Sequence, residues 1–388
     1  MSAKQVISWS WCGTRHYLVL VILMTCAVLL AALMVAPRAH AASWRWAASS
    51  LTFTQQHQLI AGSLTAHPTV VMTRAQFVQT LVHLDRYRHT TTGTPVAMAT
   101  VPVGAQLSDV DRRSIYARAV QLGWIPAING AFAGSRMITA DDASLGVMSV
   151  LGKRASMRAF AARIKTEIPG AGGSLIYRAA QVYARTLGMR YNHLVGTERF
   201  EVGPKEGMRV AHVAYMMRAA ARVSTGRLAA FSAYEGFSLP SIGTNQKTVF
   251  STGVRLIGQP YVWGGETEGS QPEGHGGFDC SGFVWRSVIA SGVPAQDRAE
   301  VTSRTSMGMS DIPRKQRITQ THLQPGDVMF FGTHGTDSTP AENFHAAVWL
   351  GNGWFMHSSG SNDGVTISRF DGYWKTSFSW GRRVLSAA

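Results

Sequence analysis

Once the first 41 residues are set aside as a leader, the chain keeps one cysteine, Cys280, in the run Gly277-Phe278-Asp279-Cys280-Ser281-Gly282. A lone thiol has no internal disulfide partner, and in an exported chain it is a candidate nucleophile. The residues after it, SGFVWRSVIA, suit a helix with Trp285 and Ile289 one turn apart, and Asp279 is a good N-cap residue. Cys280 then lies in the first helical turn, facing free backbone amides and the positive end of the helix dipole. Both favour the thiolate, which is the reactive form. Gly276, Gly277 and Gly282 permit close backbone approach by a substrate.

A thiol nucleophile needs a base, and the base needs an orienting partner. His345 lies in the strand-like segment FHAAVWL, and His357 ends WFMH, a return strand after the turn signal Gly351-Asn352-Gly353. A hairpin centred on Gly351 makes the two histidines direct cross-strand neighbours, about 4.5–5.5 Å apart at Cβ. Centring on Asn352 makes them diagonal neighbours on the same face. A two-residue Asn352-Gly353 turn without a bulge sends them to opposite faces. His275, His322 and His334 have no comparable partner.

The elements that must hold these residues lie in the last 143. In order they read TVFSTGVRLIG, PYVWGG, GFDCSGFVW, LQPGDVMFF, NFHAAVWLGNGWFMHSSG and WGRRVL. Together these blocks resemble the NlpC/P60 family of cell-wall cysteine peptidases. The resemblance implies an α+β, papain-like fold over residues 246–388, with a helix carrying Cys280 packed on an antiparallel sheet carrying both histidines. It implies Cys280 as nucleophile, His345 as base and His357 as orienter. Tyr261 matches the family tyrosine lining the site, where its hydroxyl and the Cys280 amide are candidate oxyanion donors. Asp279 and Ser281 match positions beside the substrate, a peptidoglycan stem peptide. The bond implied is that between D-glutamate, through its γ-carboxyl, and diaminopimelate. An amidase or acyltransferase on the same scaffold, and a wall-binding protein with an inactive domain, are the alternatives. No cofactor or metal is expected, and no HExxH is present. The segment ETEGSQPEGHGG, with Glu266, Glu268 and Glu273, is an acidic insertion between Tyr261 and Cys280.

Residues 1–41 have a basic start, an apolar run from Tyr17 to Ala36 and the site Ala39-His40-Ala41. They read as a cleaved signal peptide or a retained N-terminal anchor. Either way the rest is expected outside the cytoplasm, secreted and wall-associated, or membrane-anchored facing outward. Cys12 and Cys26 belong to this leader.

Charge divides the remainder. Residues 42–245 hold 22 basic and 10 acidic side chains, whereas residues 246–388 hold 12 of each. A basic region beside a neutral one suggests adhesion to a polyanion next to chemistry. Outside a cell that polyanion is a wall polymer rather than nucleic acid, and a membrane is a partner only if the leader is retained.

Residues 42–223 carry weak internal repetition. Helical stretches begin at VMTRAQF, MITADDA and MRVAHVA, with Phe77, Leu81 and Leu84 at helical spacing and Thr73 and Thr139 as N-caps. The pattern resembles S-layer homology repeats, which implies a mostly α-helical region that binds a secondary cell-wall polymer through the Thr-Arg-Ala motif. Residues 224–245, rich in Ser, Gly and small residues, read as a linker.

Overall fold

The computed structural model describes residues 44–268 and 276–386; the leader lies outside them, and so does its cleavage. Among the described residues no helix is long and apolar enough to cross a membrane.

The C-terminal part is built on strands that are largely apolar and buried on both faces. These are β1 (Glu266–Thr267), β2 (Gly277–Phe278), β3 (Val328–Gly332), β4 (Asn343–Gly351), β5 (Trp354–Ser359), β6 (Gly364–Arg369) and β7 (Phe378–Arg382). β1 and β2 form a small antiparallel pair, and the other five form an antiparallel sheet in the order β6-β5-β4-β3-β7. Alternate residues go to opposite faces, because successive side chains of a strand point opposite ways. Val328, Phe330, Val348 and Met356 join the main core. Met329, Phe331, Trp349 and Phe355 form a second cluster behind the sheet, against which Trp374 packs. The helix α9 (Thr244–Leu256) supplies Phe250 and Val254 to the main core, and α10 (Cys280–Val284) supplies Phe283 and Val284. α10 packs on β4 and β5, and its chain continues as a π turn over Trp285–Ile289.

Before the sheet come α1 (Arg74–Thr92), α2 (Ile115–Gln121), α3 (Ala140–Val150), α4 (Arg154–Glu167), α5 (Leu175–Thr186) and α6 (Val210–Arg222). Thr73 caps α1 in a capping box with Gln76, and Thr139 caps α3 by accepting from the Asp142 amide. The chain just ahead of α1, α3 and α6 closes a ring of three backbone hydrogen bonds. The Met72 amide donates to Met208 O, Met208 to Ile138 O, and Ile138 to Met72 O, each at 2.9 Å. The three helix starts singled out in the sequence therefore meet at one point.

Arg74, the arginine of the Thr-Arg-Ala motif, is fully buried there. It pairs with Asp142 at 3.0 Å and donates to the carbonyls of Phe132 and Pro126. Its side chain is committed to the core of the helical region and offers no surface to a polymer.

The segment read as a linker is packed. It forms α7 (Thr225–Ala229) and α8 (Ser232–Glu235), and Leu228, Phe231, Tyr234 and Phe237 are buried. Tyr234 and Phe237 meet Trp354 of β5, with ring centroids 5.0 and 5.2 Å away. The Tyr234 hydroxyl donates to Ile367 O of β6. Residues from Ser49 onward accordingly form one compact unit rather than two joined by a tether.

Candidate active site

Cys280 begins α10 as the spacing predicts. The Asp279 carboxylate caps the helix, accepting from the Gly282 amide at 2.5 Å and from the Ser281 hydroxyl at 3.0 Å. Gly282 is obligatory: a Cβ there would collide with the Gly265 carbonyl, so its close neighbour is the chain's own backbone. Cys280 lies on the floor of a cleft of about 560 Å³, together with Tyr261, Asp279, Ser281, Glu266 and Arg304. The backbone amide of Ala346 points at the sulfur, so the thiol meets β4 at the residue after His345.

The thiolate expected from the helix dipole is not the resting form. Burial pushes the Cys280 thiol up to about 12, and the negative charge of Asp279 adds to this. The amides of Ala346, Ser281 and Cys280 itself pull the other way without prevailing. The cap that builds the helix start also sets a carboxylate beside the sulfur, which offsets the dipole. Asp279→Asn keeps a good cap and removes the charge. Iodoacetamide labelling of Cys280 at pH 8 should then speed up about two- to three-fold, as expected when a thiol pKa falls by roughly half a unit. A labelling rate that stayed equal or fell, followed by mass spectrometry, would refute this account.

The histidines are brought together by a feature that spacing alone leaves open. Asn352 and Gly353 form a two-residue turn, both with positive φ (49° and 79°), closed by the pair Gly351 and Trp354. Left there, the register would put His345 and His357 on opposite faces. A bulge between Trp349 and Gly351 shifts the pairing so that Trp349 faces Phe355 and Val348 faces Met356. The histidines become diagonal neighbours on one face, with His345 Nε2 2.9 Å from His357 Nδ1.

His357 Nε2 is in turn 2.9 Å from the hydroxyl of Ser368 on β6. Burial holds the His345 imidazole down to about 3, and burial together with His345 holds His357 well below its usual value. Both rings are therefore neutral at physiological pH, and each carries one proton. If Ser368 accepts from His357 Nε2–H, His357 Nδ1 accepts from His345 Nε2–H, and His345 Nδ1 is left as an unprotonated base.

Two further side chains contact the candidate site, Ser368 and Arg304. Ser368 sits in VTISRF, where a polar residue on the buried side of a strand was the available signal. Arg304 binds Glu266 through Nε at 2.5 Å and donates from Nη1 to the Ser281 hydroxyl at 3.0 Å, with Asp279 at 3.6 Å. It precedes Thr305, the N-cap of α11 (Ser306–Ser310), and stands alone among uncharged neighbours. Glu266 of the acidic insertion is thereby tied to the cleft; residues 269–275 of that insertion, including Glu273 and His275, are outside the described residues. Tyr261 lines the same cleft, and burial, with Cys280 and Asp279 beside it, pushes its hydroxyl pKa up. It is a protonated donor at neutral pH. His322 and His334 are exposed, and their rings contact nearby threonines and, for His334, Glu342.

Cys280 thus opens a helix packed on the antiparallel sheet whose strands β4 and β5 carry the hydrogen-bonded histidine pair. Residues 258–383 match the NlpC/P60 family. An Escherichia coli K12 protein named Probable endopeptidase YafL is 31% identical over 134 residues, which are 34% of this chain and 46% of that one. The Peptidoglycan DL-endopeptidase CwlO of Bacillus licheniformis is 28% identical over 144 residues, 37% of this chain and 29% of its own. A crystal structure of an NlpC/P60 family protein from Bacillus cereus is 25% identical, with a TM-score of 0.29, covering 38% of this chain and 42% of that one. The chain thus spans less than half the length of these relatives. The NlpC/P60 match takes in Tyr261, Cys280, His345, His357 and Ser368, and leaves the helical region outside it.

Proposed function

We propose that this protein is a peptidoglycan hydrolase, a cysteine endopeptidase acting on stem peptides. The reading rests on Cys280, at a capped helix start lining the cleft with the Ala346 amide of β4 directed at its sulfur, and on the hydrogen-bonded chain His345, His357, Ser368 carried by β4, β5 and β6. The relatives named as peptidoglycan endopeptidases support it.

In this reading, Cys280 Sγ attacks the amide carbon as its proton passes to His345 Nδ1. The Cys280 amide and the Tyr261 hydroxyl donate to the oxyanion. The imidazolium then returns the proton to the departing amine as the C–N bond breaks, leaving a thioester. His345 next takes a proton from water, whose oxygen attacks the thioester, and the acid product leaves as the thiol is restored. His357 holds the His345 tautomer, with Ser368 behind it. Asp279, Ser281 and Arg304 offer a mixed-charge wall to the polar stem peptide.

The bond assigned is that between D-glutamate, through its γ-carboxyl, and diaminopimelate. The excess positive charge of residues 42–245 would hold the enzyme, exported by its leader, on an anionic wall polymer. The test is digestion of purified sacculi with mass spectrometry of the products. Expected are new amino termini on diaminopimelate and new D-glutamate carboxyls, absent with Cys280→Ala. Retention on sacculi should weaken with salt, since the Debye length falls from about 10 Å at 0.1 M to about 3 Å at 1 M. Cleavage next to muramic acid would make the enzyme an amidase instead, and products independent of Cys280 would reject the thiol mechanism.

A further inference from the structure

The backbone that carries Tyr261 is held from outside the NlpC/P60 segment. Arg178 Nη1 of α5 donates to Ile257 O, and Arg185 Nη2 of the same helix donates to Gly258 O, each at 2.6 Å. Glu198, itself buried, accepts from the Trp263 amide at 3.4 Å. Tyr261 sits between these grips. Arg185, 0% exposed, reaches further: its Nη1 donates to the Asp363 carboxylate at 3.2 Å and to Asn362 O at 3.3 Å.

Asp363 lies between β5 and β6 and is also buried, with left-handed backbone angles of φ 50° and ψ 49°. That conformation is unfavourable for a side-chain-bearing residue and persists where surroundings over-determine it. Here the surroundings are Arg185 at 3.2 Å, Arg190 at 3.6 Å, the Glu201 carboxyl group, and the backbone amide of Tyr261 directed at the same carboxylate. A buried ion pair is a poor source of net stability compared with apolar packing of the same volume. Its directional bonds do fix geometry. These bonds tie the helical region to the two backbone segments flanking the site, the one bearing Tyr261 and the one following His357.

We infer that Arg185, acting through Gly258 and Asp363, is a positioning residue that places Tyr261 beside Cys280, so that the helical region is a working part of the hydrolase and not only its anchor. The inference rests on the reading of the cleft as a thiol-hydrolase site. Its test uses the full chain with Arg185→Met and, as the isosteric alternative should that variant fold poorly, Asp363→Asn, each alone and combined with Tyr261→Phe. On a soluble muropeptide, kcat should fall about ten-fold or more for either single variant while KM moves less than about three-fold, as for an interaction made only in the transition state. In the Tyr261→Phe background the same substitution should cost less than about two-fold, because residues acting as a unit are not additive. Iodoacetamide labelling of Cys280 should accelerate in the single variants as Tyr261 leaves the thiol. A cooperatively folded variant with wild-type kcat and labelling, or an undiminished loss in the Tyr261→Phe background, overturns the inference. Labelling reads the Tyr261 position without any hydrolysis, so an enzyme that cut no muropeptide would refute the functional reading while leaving this test in force.

Discussion

Cys280→Ala should fold as the wild type does and lose at least about 10³-fold in kcat/KM on muropeptides, the scale of loss when a nucleophile is removed from a catalytic unit. The expectation of an intact fold comes from position. Cys280 opens α10 at the cleft floor, its helix is capped by Asp279 rather than by the thiol, and the core contacts of the helix come from Phe283 and Val284. Alanine removes one sulfur atom and keeps all of these. The expectation of lost activity comes from the absence of a substitute: among the described residues the other groups lining the cleft are the capping Asp279 carboxylate, the Glu266 carboxylate paired with Arg304, hydroxyls and apolar side chains. Product analysis by mass spectrometry and a thermal unfolding curve decide both halves. Cleavage by the alanine variant at the wild-type rate would remove the thiol from the mechanism.

The helix carrying Cys280 and the histidine strands were legible because each rests on local rules. Asp before Cys before an apolar run is a helix start, and apolar strands flanking Gly-Asn-Gly are a hairpin. What stayed illegible depends on packing. The bulge between Trp349 and Gly351 decides the histidine register, yet nothing in the sequence NFHAAVWLGNG distinguishes a bulged hairpin from a regular one. The protonated state of Cys280 follows from burial, which a helix-dipole argument cannot see. Residues 224–245 differ from a linker for another reason. Average composition there is small and polar, and it hides an apolar stripe at a spacing of three: Leu228, Phe231, Tyr234 and Phe237. That stripe packs the helical region against the sheet. Arg74 shows the converse: a motif that resembles a ligand-binding one is spent on an internal ion pair with Asp142.

His345→Ala should cost nearly as much as loss of Cys280, since nucleophile and base act as a unit, on the order of 10³-fold or more. His357→Ala should cost less, about 10- to 10²-fold, and should differ in kind. In the wild type His345 is buried, and burial keeps it unprotonated down to about 3. A base acts in its unprotonated form, so wild-type kcat/KM should hold as pH falls through 6 and 5. Truncating His357 removes the partner of His345 Nε2 and opens a cavity beside it. A polar cavity of that size can admit water. With solvation restored, the charged imidazolium is less disfavoured and the His345 pKa climbs back towards about 6.5. The acid limb of the pH–rate profile should therefore move upward in His357→Ala, with activity lost between roughly pH 7 and 5 where the wild type is still active. His357→Asn should recover part of the rate, because its side-chain carbonyl can accept from His345 Nε2–H and hold the same tautomer. Ser368→Ala should shift the limb less than His357→Ala, since it loosens the second ring and leaves the first in place. A His357→Ala enzyme with wild-type kcat/KM and an unmoved acid limb would show that the 2.9 Å contact between the two rings does not orient the base.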